Sequence, residues 1–243
     1  MVDPYTHTAG LPTAVEIIPA ILPKRFRDLE QHLGIIHAAT KRVQVDVVDG
    51  VFAGSKTWPY TDRTEFDKII AEEHGLPFWG DLDFEFDLML ANPLEDVRDF
   101  VRAGASRIVL HAHSEQALAA FQSLVDVRDD STGSLSITVG VAVLPTDQPD
   151  LLESFEAQFD FIQVMGVDRV GKQGQPFNPH TVFLVERLRR RYPQLPLQVD
   201  GGVTLENAQS LVHAGANRLI VGSAIFGAKD PLASLAALRD AVR

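Results

Sequence analysis

Gln198-Val199-Asp200-Gly201-Gly202-Val203, followed further on by Val221-Gly222-Ser223-Ala224-Ile225-Phe226, decides the reading of this chain. Each is a short apolar run that ends in small, glycine-bearing residues. Two neighbouring strands of this kind offer bare backbone N–H groups at their C-terminal ends. With a helix start just behind them, those groups cradle a phosphate through hydrogen bonds and the positive end of the helix dipole. Asp200 stands at the lip of the same cup. Phosphate grip and acid/base chemistry are therefore expected in one site, with Gly201, Gly202, Gly222 and Ser223 in its wall.

Outward from this pair, β-branched runs alternate with amphipathic helical stretches. Strands are predicted over residues 15–21, 42–48, 84–90, 107–113, 135–143, 159–167, 197–200 and 218–221. Helical patterns follow each, over 26–36, 64–74, 94–103, 115–125, 150–157, 179–192, 205–213 and 231–242. Repeated βα units imply a parallel sheet, and this number implies closure into a (β/α)₈ TIM barrel of the α/β class. An open doubly wound sheet is the alternative, but no Gly-x-Gly-x-x-Gly follows the first strand. One barrel over residues 15–243 with an N-terminal extension, 1–14, is the expected organisation. Ala103-Gly104-Ala105-Ser106-Arg107-Ile108-Val109-Leu110 recurs as Ala214-Gly215-Ala216-Asn217-Arg218-Leu219-Ile220-Val221. Both segments read as a glycine-capped helix end turning into a strand, as two half-barrels built alike require. A shared preference for a good αβ loop is the other explanation.

The 243 residues, 45% hydrophobic, suffice for one large core. No apolar run is long enough to span a membrane, and the first ten residues lack the pattern of a signal peptide. The absence of cysteine excludes disulfides and thiolate metal sites and fits a cytoplasmic setting. A net charge of −11 argues against nucleic acid as a partner. It leaves a small anion possible, because a local N–H cup outweighs distant charge screened over roughly 10 Å.

In such a barrel the site lies at the C-terminal strand ends. The polar residues there are Gln44, Asp46 and Asp49 on strand two, and Asp83, Glu85 and Asp87 on strand three. His111 and His113 lie on strand four and Asp200 on strand seven. Gln44 and Asp46 share one face, with the alternating valines outward. An inward carboxylate is costly unless paired, hydrogen-bonded or metal-bound. For the three acids of strand three, a cation sits among them, or some are protonated, or Asp83 lies low beside water or a cation.

These strands together resemble the ribulose-phosphate 3-epimerase family of ribulose-phosphate-binding barrels. The likeness runs from about residue 15 to the C-terminus. It is carried by Ile18-Pro19-Ala20-Ile21-Leu22, by Val45-Asp46-Val47-Val48-Asp49-Gly50 with Phe52 and Thr57, and by Glu85-Phe86-Asp87-Leu88-Met89 with Asn92-Pro93. Val164-Met165, the loop Gly174-Gln175-Pro176-Phe177 and the two opening motifs complete it. The resemblance implies an isomerase of carbohydrate metabolism in the pentose phosphate pathway. That enzyme inverts C3 of a ketose phosphate, D-ribulose 5-phosphate to D-xylulose 5-phosphate, by proton transfer between Asp46 and Asp200 through an enediolate. A metal steadies the enediolate, and Met89, Met165 and Gly174 join the substrate site.

Departures from the pattern bear on the metal. The family holds its ion with two His and two Asp; here Gln44 and Asp87 stand at both histidine positions. Gln44, Asp46, Asp87 and Asp200 form an all-oxygen set that suits Mg²⁺ or Mn²⁺ better than Zn²⁺ or Fe²⁺, or no metal at all. Ala20 replaces a substrate-contacting Ser, Val48 a Met, and His113 a Glu, so a histidine moved one strand along is one expectation. The loop 168–175 is longer than the family's flap and carries Arg169 and Lys172, either of which would supply charge to a phosphate beneath a lid. A non-catalytic or metal-free sugar-phosphate binder is the first alternative, and an enediolate-forming lyase the second. The lyase cousins use Asp-x-Lys-x-x-Asp on strand three, and Asp83-Phe84-Glu85-Phe86-Asp87 lacks the Lys. The expected partner is a small phosphorylated sugar; the assembly state, a homo-oligomer included, stays open.

Overall fold

Alternation of β-branched runs and amphipathic helices closes on itself in the computed structural model, which describes residues 15–130, 137–155 and 158–243. The strands are β1 (Glu16–Ile21), β2 (Arg42–Val48), β3 (Asp83–Met89), β4 (Ala105–His111), β5 (Thr138–Val143), β6 (Phe161–Met165), β7 (Leu197–Asp200) and β8 (Arg218–Val221). Each pairs in parallel with the next, and β8 pairs with β1, so the eight form a closed barrel in sequence order. Around them lie α1 (Phe26–Ile36), α2 (Thr64–Ile70), α3 (Val97–Arg102), α4 (Ala117–Asp130), α5 (His180–Arg191), α6 (Leu205–Ala214), α7 (Ser223–Phe226) and α8 (Pro231–Ala241). The extension 1–14 and the first two residues of the fifth predicted strand lie outside the described residues.

Several boundaries differ from expectation for local reasons. The helix predicted over 150–157 is a 3₁₀ turn, Pro149–Phe155, and the last two predicted residues lie outside the described residues. Glu72 adopts a positive φ of 60°, so α2 stops short of the predicted residue 74. Strand β4 ends at His111, which leaves His113 in the following turn. A short α7 lies between β8 and α8; α8 itself starts at Pro231, behind an Asp230 carboxylate that accepts from the Ala233 N–H.

The period of two sorts each strand. Val43, Val45 and Val47 of β2, with Phe84, Phe86 and Leu88 of β3, face outward into the core beneath the helices. Burial of each such phenylalanine contributes roughly 1.5–3 kcal/mol. The inward residues stack in levels. At the bottom, the Arg107 and Arg218 guanidiniums lie over the Phe161 ring, 5.9 and 5.3 Å from its centroid. These are the paired arginines of the internal repeat, in equivalent places on β4 and β8. Asp83 is 55% exposed and pairs with Arg42 at 3.1 Å, while buried Glu85 lies 3.5 Å from Arg107. The crowded acids of strand three are thus separated by level and by cationic partner. Gln44 pairs in register with Glu85 and Asp46 with Asp87, and Asp46, Asp87, His111 and Asp200 lie towards the C-terminal ends of their strands. Among the described residues no helix is long and apolar enough to cross a membrane.

Candidate active site

At the C-terminal end of the barrel, Asp46, Asp87 and Asp200 each turn a carboxylate oxygen inward, and these atoms lie within 4.8 Å of one another. All three side chains are buried. Strand register sets Asp46 beside Asp87, and β7 brings Asp200 to them from the other side. Thr57 pins the end of β2: its Oγ1 donates to the Asp46 carbonyl at 3.0 Å and accepts from the Val48 N–H at 2.8 Å. Asp49 does not enter the cluster. Its carboxylate accepts from the N–H groups of Val51, Phe52 and Ala91 and fixes the loop after β2.

Buried amides join the carboxylates. Gln44 Nε2 donates to Asp46 Oδ1 and to Asp200 Oδ2, both at 2.9 Å, and its Oε1 has no partner. Gln163 Nε2 donates to Asp87 Oδ2 at 3.0 Å, and His111 Nε2 lies 3.0 Å from Asp87 Oδ1. Burial, and then the nearby Asp87, push the Asp46 carboxyl up to about 8, against the lowering effect of the Gln44 amide. Burial and then the charge of Asp46 likewise raise Asp200 well above the ordinary carboxylate range. Both carboxyls therefore hold a proton more readily than a free carboxylate does.

Asp46 and Asp200 line a cleft that opens to solvent. Met89, Met165, Gly201, Gly202, Gly222 and Ser223 line it together with the acids. Gly202 holds φ +65°, a left-handed conformation that favours glycine, and a side chain there would meet the Phe177 Cα at 2.9 Å. Helix α7 begins immediately behind Gly222, so the N–H groups of its first turn start at the cleft. The loop 168–177 covers the mouth: Ser55 Oγ donates to the Gly171 carbonyl, and Gln173 Nε2 reaches the Ala20 carbonyl at 3.4 Å. Lys172 and Gly174 line the cleft, and Arg169 is absent from its lining.

The structure brings together Gln44, Asp46, Asp87 and Asp200. His113 goes elsewhere. Its Nε2 lies 2.9 Å from Asp147 Oδ2, its side chain is 44% exposed, and His111 is the imidazole that meets the carboxylates. Gln163 was not foreseen. Its signal was a lone amide at an inward position of the apolar run Phe161-Ile162-Gln163-Val164-Met165.

The donors fit a hard divalent cation. Three buried carboxylates repel one another, every donor is oxygen, and the unpartnered Gln44 Oε1 becomes a further ligand if the amide turns over.

The model of the "Ribulose-phosphate 3 epimerase family" matches residues 16–226. The chain belongs to the ribulose-phosphate 3-epimerase family. It is therefore an isomerase, a carbohydrate epimerase. Ribulose-phosphate 3-epimerase of Schizosaccharomyces pombe is 30% identical over 229 residues, 93% of each chain. The chloroplastic ribulose-5-phosphate-3-epimerase of Arabidopsis thaliana is 30% identical over 88% of this chain and 72% of its own. Among solved structures, KGPDC from Streptococcus mutans superposes with a TM-score of 0.67 at 12% identity, covering 95% of this chain and 98% of its own. The 3-hexulose-6-phosphate synthase from Salmonella typhimurium gives 0.63 at 17% identity, over 93% and 98%. At such identities these two speak for the fold alone. Family membership favours neither the non-catalytic binder nor the lyase.

Proposed function

We propose that this protein inverts C3 of D-ribulose 5-phosphate to give D-xylulose 5-phosphate, with Asp46 and Asp200 exchanging roles as acid and base. One observation carries the reading: the two carboxyls are buried together on one amide and line the same cleft as Gly201, Gly202, Gly222 and Ser223. The cup at Gly202, Gly222 and Ser223 binds the phosphate and fixes the distance from phosphorus to the reacting carbon. The ketose carbonyl then lies over the acids, with Met89 and Met165 excluding water from the reacting face. One carboxylate takes the C3 proton from its side. The other, already protonated, returns a proton from the opposite side, and the enediolate between them is flat enough to accept it from either. Asp46, Asp87, Asp200 and Gln44 are the residues that would hold Mg²⁺ or Mn²⁺. Such an ion supplies charge that stabilises the developing enediolate oxygens. Lys172 in the lid adds positive charge close to the phosphate. A cytoplasmic location and a role in pentose phosphate metabolism belong to the same proposal, the first supported by the cysteine-free composition and the second by the relatives' names.

The test is exchange in heavy water. Incubated with D-ribulose 5-phosphate, the protein should place deuterium at C3 and accumulate D-xylulose 5-phosphate, with exchange at least as fast as epimerisation. Binding of the sugar phosphate without exchange of its C3 hydrogen would defeat the proposal.

A further inference from the structure

Gln163 is fully buried in the barrel, and a buried amide needs partners at both ends. Its Oε1 accepts from Gln198 Nε2 at 2.6 Å. Its Nε2 donates to Asp87 Oδ2 at 3.0 Å and lies 3.5 Å from Asp200 Oδ2. Either end of an amide fits the same space, so the level beneath decides which end points up. There Gln198 Nε2 also donates to Glu85 Oε1 at 2.8 Å, and Glu85 faces Arg107. Turning Gln198 over would set its oxygen against both the Glu85 carboxylate and Gln163 Oε1. The polarity therefore runs one way, from Glu85 through Gln198 to Gln163, and delivers N–H groups to the acids above.

We infer that Gln163 is a positioning residue: the Glu85–Gln198–Gln163 ladder holds its N–H groups on Asp87 and Asp200 and so sets which carboxylate oxygens face the substrate. The inference rests on the epimerase reading above. Asp87 stands where the family pattern has a histidine. A carboxylate has two equivalent oxygens and needs a donor on each to keep one rotamer. Gln163 supplies one at Oδ2 and His111 the other at Oδ1. The barrel thus provides, level with Asp87, the amide that an aspartate at this position requires.

Gln163→Leu removes the amide at similar volume, and Gln198→Leu leaves it in place but unpinned. For Gln163→Leu, kcat with D-ribulose 5-phosphate should fall roughly 10–100-fold, as for other residues that orient catalytic ligands. KM should stay within about twofold, because Gln163 is not among the residues that line the cleft with Gly202, Gly222 and Ser223. Mn²⁺ affinity of the purified protein, measured by calorimetry, should fall by a comparable factor, on the order of 10-fold or more. Gln198→Leu should move the same quantities in the same direction by less. If Gln163→Leu does not fold, the near-isosteric Gln163→Glu carries the test, since it turns an oxygen towards Asp87 and Asp200. Unchanged kcat and unchanged Mn²⁺ affinity in the folded variant overturn the inference and leave the epimerase reading standing. An unsubstituted protein with neither turnover nor Mn²⁺ binding overturns both. Turnover without Mn²⁺ binding lets kcat decide, and Mn²⁺ binding without turnover ends the epimerase reading while the affinities decide the ladder.

Discussion

The Gln44 amide on β2 reaches across the barrel to Asp200 on β7 at 2.9 Å, although 156 residues separate them, and holds Asp46 at the same distance. A single neutral donor thus occupies ground between two carboxylates that a cation would claim. Its orphaned oxygen is a hard donor, so the site should prefer Mg²⁺ or Mn²⁺ over what imidazole selects. Gln44→His should therefore strengthen Zn²⁺ binding on the order of 10-fold more than Mn²⁺ binding, since imidazole suits zinc better than manganese. Parallel calorimetric titrations of both ions decide it; an equal gain for both would sink the donor argument.

Asp46→Asn and Asp200→Asn should each reduce epimerisation by roughly 10²–10⁴-fold, because an amide cannot take up the proton. Exchange of the C3 hydrogen needs one competent base only. One variant should then retain exchange from one substrate face, which assigns each acid to its side. NMR of deuterium incorporation into each epimer reads this directly. Full epimerase activity in either variant would remove that residue from the shuttle.

The two cup glycines should behave differently. At Gly222 an added Cβ would meet the Nε2 of Gln173 at 2.6 Å, the movable end of a lid side chain. At Gly202 the obstacle is Phe177 backbone, and φ is +65°. Gly222→Ala should fold normally and raise KM for the sugar phosphate, with kcat little changed. Gly202→Ala should lose stability by about 1–3 kcal/mol as well, the usual cost of forcing an alanine into a left-handed site with no room. Melting curves and KM values for the pair test this, and equal stability losses would contradict it.

The barrel was legible because its chemistry is periodic. Valine, isoleucine and phenylalanine at alternate positions mark the outward faces of β2 and β3, and the acids between them mark the inward faces. The same parity places Gln44, Asp46 and Asp87 in the interior without any knowledge of contacts. It separates His111 from His113 only if the end of β4 is known, since both share one parity and the turn begins between them. Gln163 was hidden because its meaning depends on Asp87 and Gln198, partners on other strands. Arg107 and Arg218 stood out as a repeat, but their common target Phe161 emerges only when β6 is placed between them. Local pattern reaches the level of a residue in the barrel; the hydrogen-bond partner across it is set by closure.

Removal of divalent ions should expose the cost of crowding the acids. Burial and Asp87 hold the Asp46 carboxyl near 8 in the folded protein, against an ordinary value of 3.8. Between those values the folded state keeps a proton that the unfolded chain has released. The stability tied to that proton is complete below about pH 4 and is lost as pH rises to about 8, with a slope of at most about 1.4 kcal/mol per pH unit for one proton. In chelator, the melting temperature should therefore decline from about pH 5 to about pH 8, and the decline should be shallower in Asp46→Asn, whose amide carries no charge to neutralise. Added Mn²⁺ should restore the melting temperature most strongly at the upper end of that range, where the carboxylates have lost the proton and a cation takes its place. Parallel curves for Asp46→Asn and the unsubstituted protein, with no greater gain from Mn²⁺ at high pH, would show that Asp46 stays ionised in the fold and that the two acids do not share a proton.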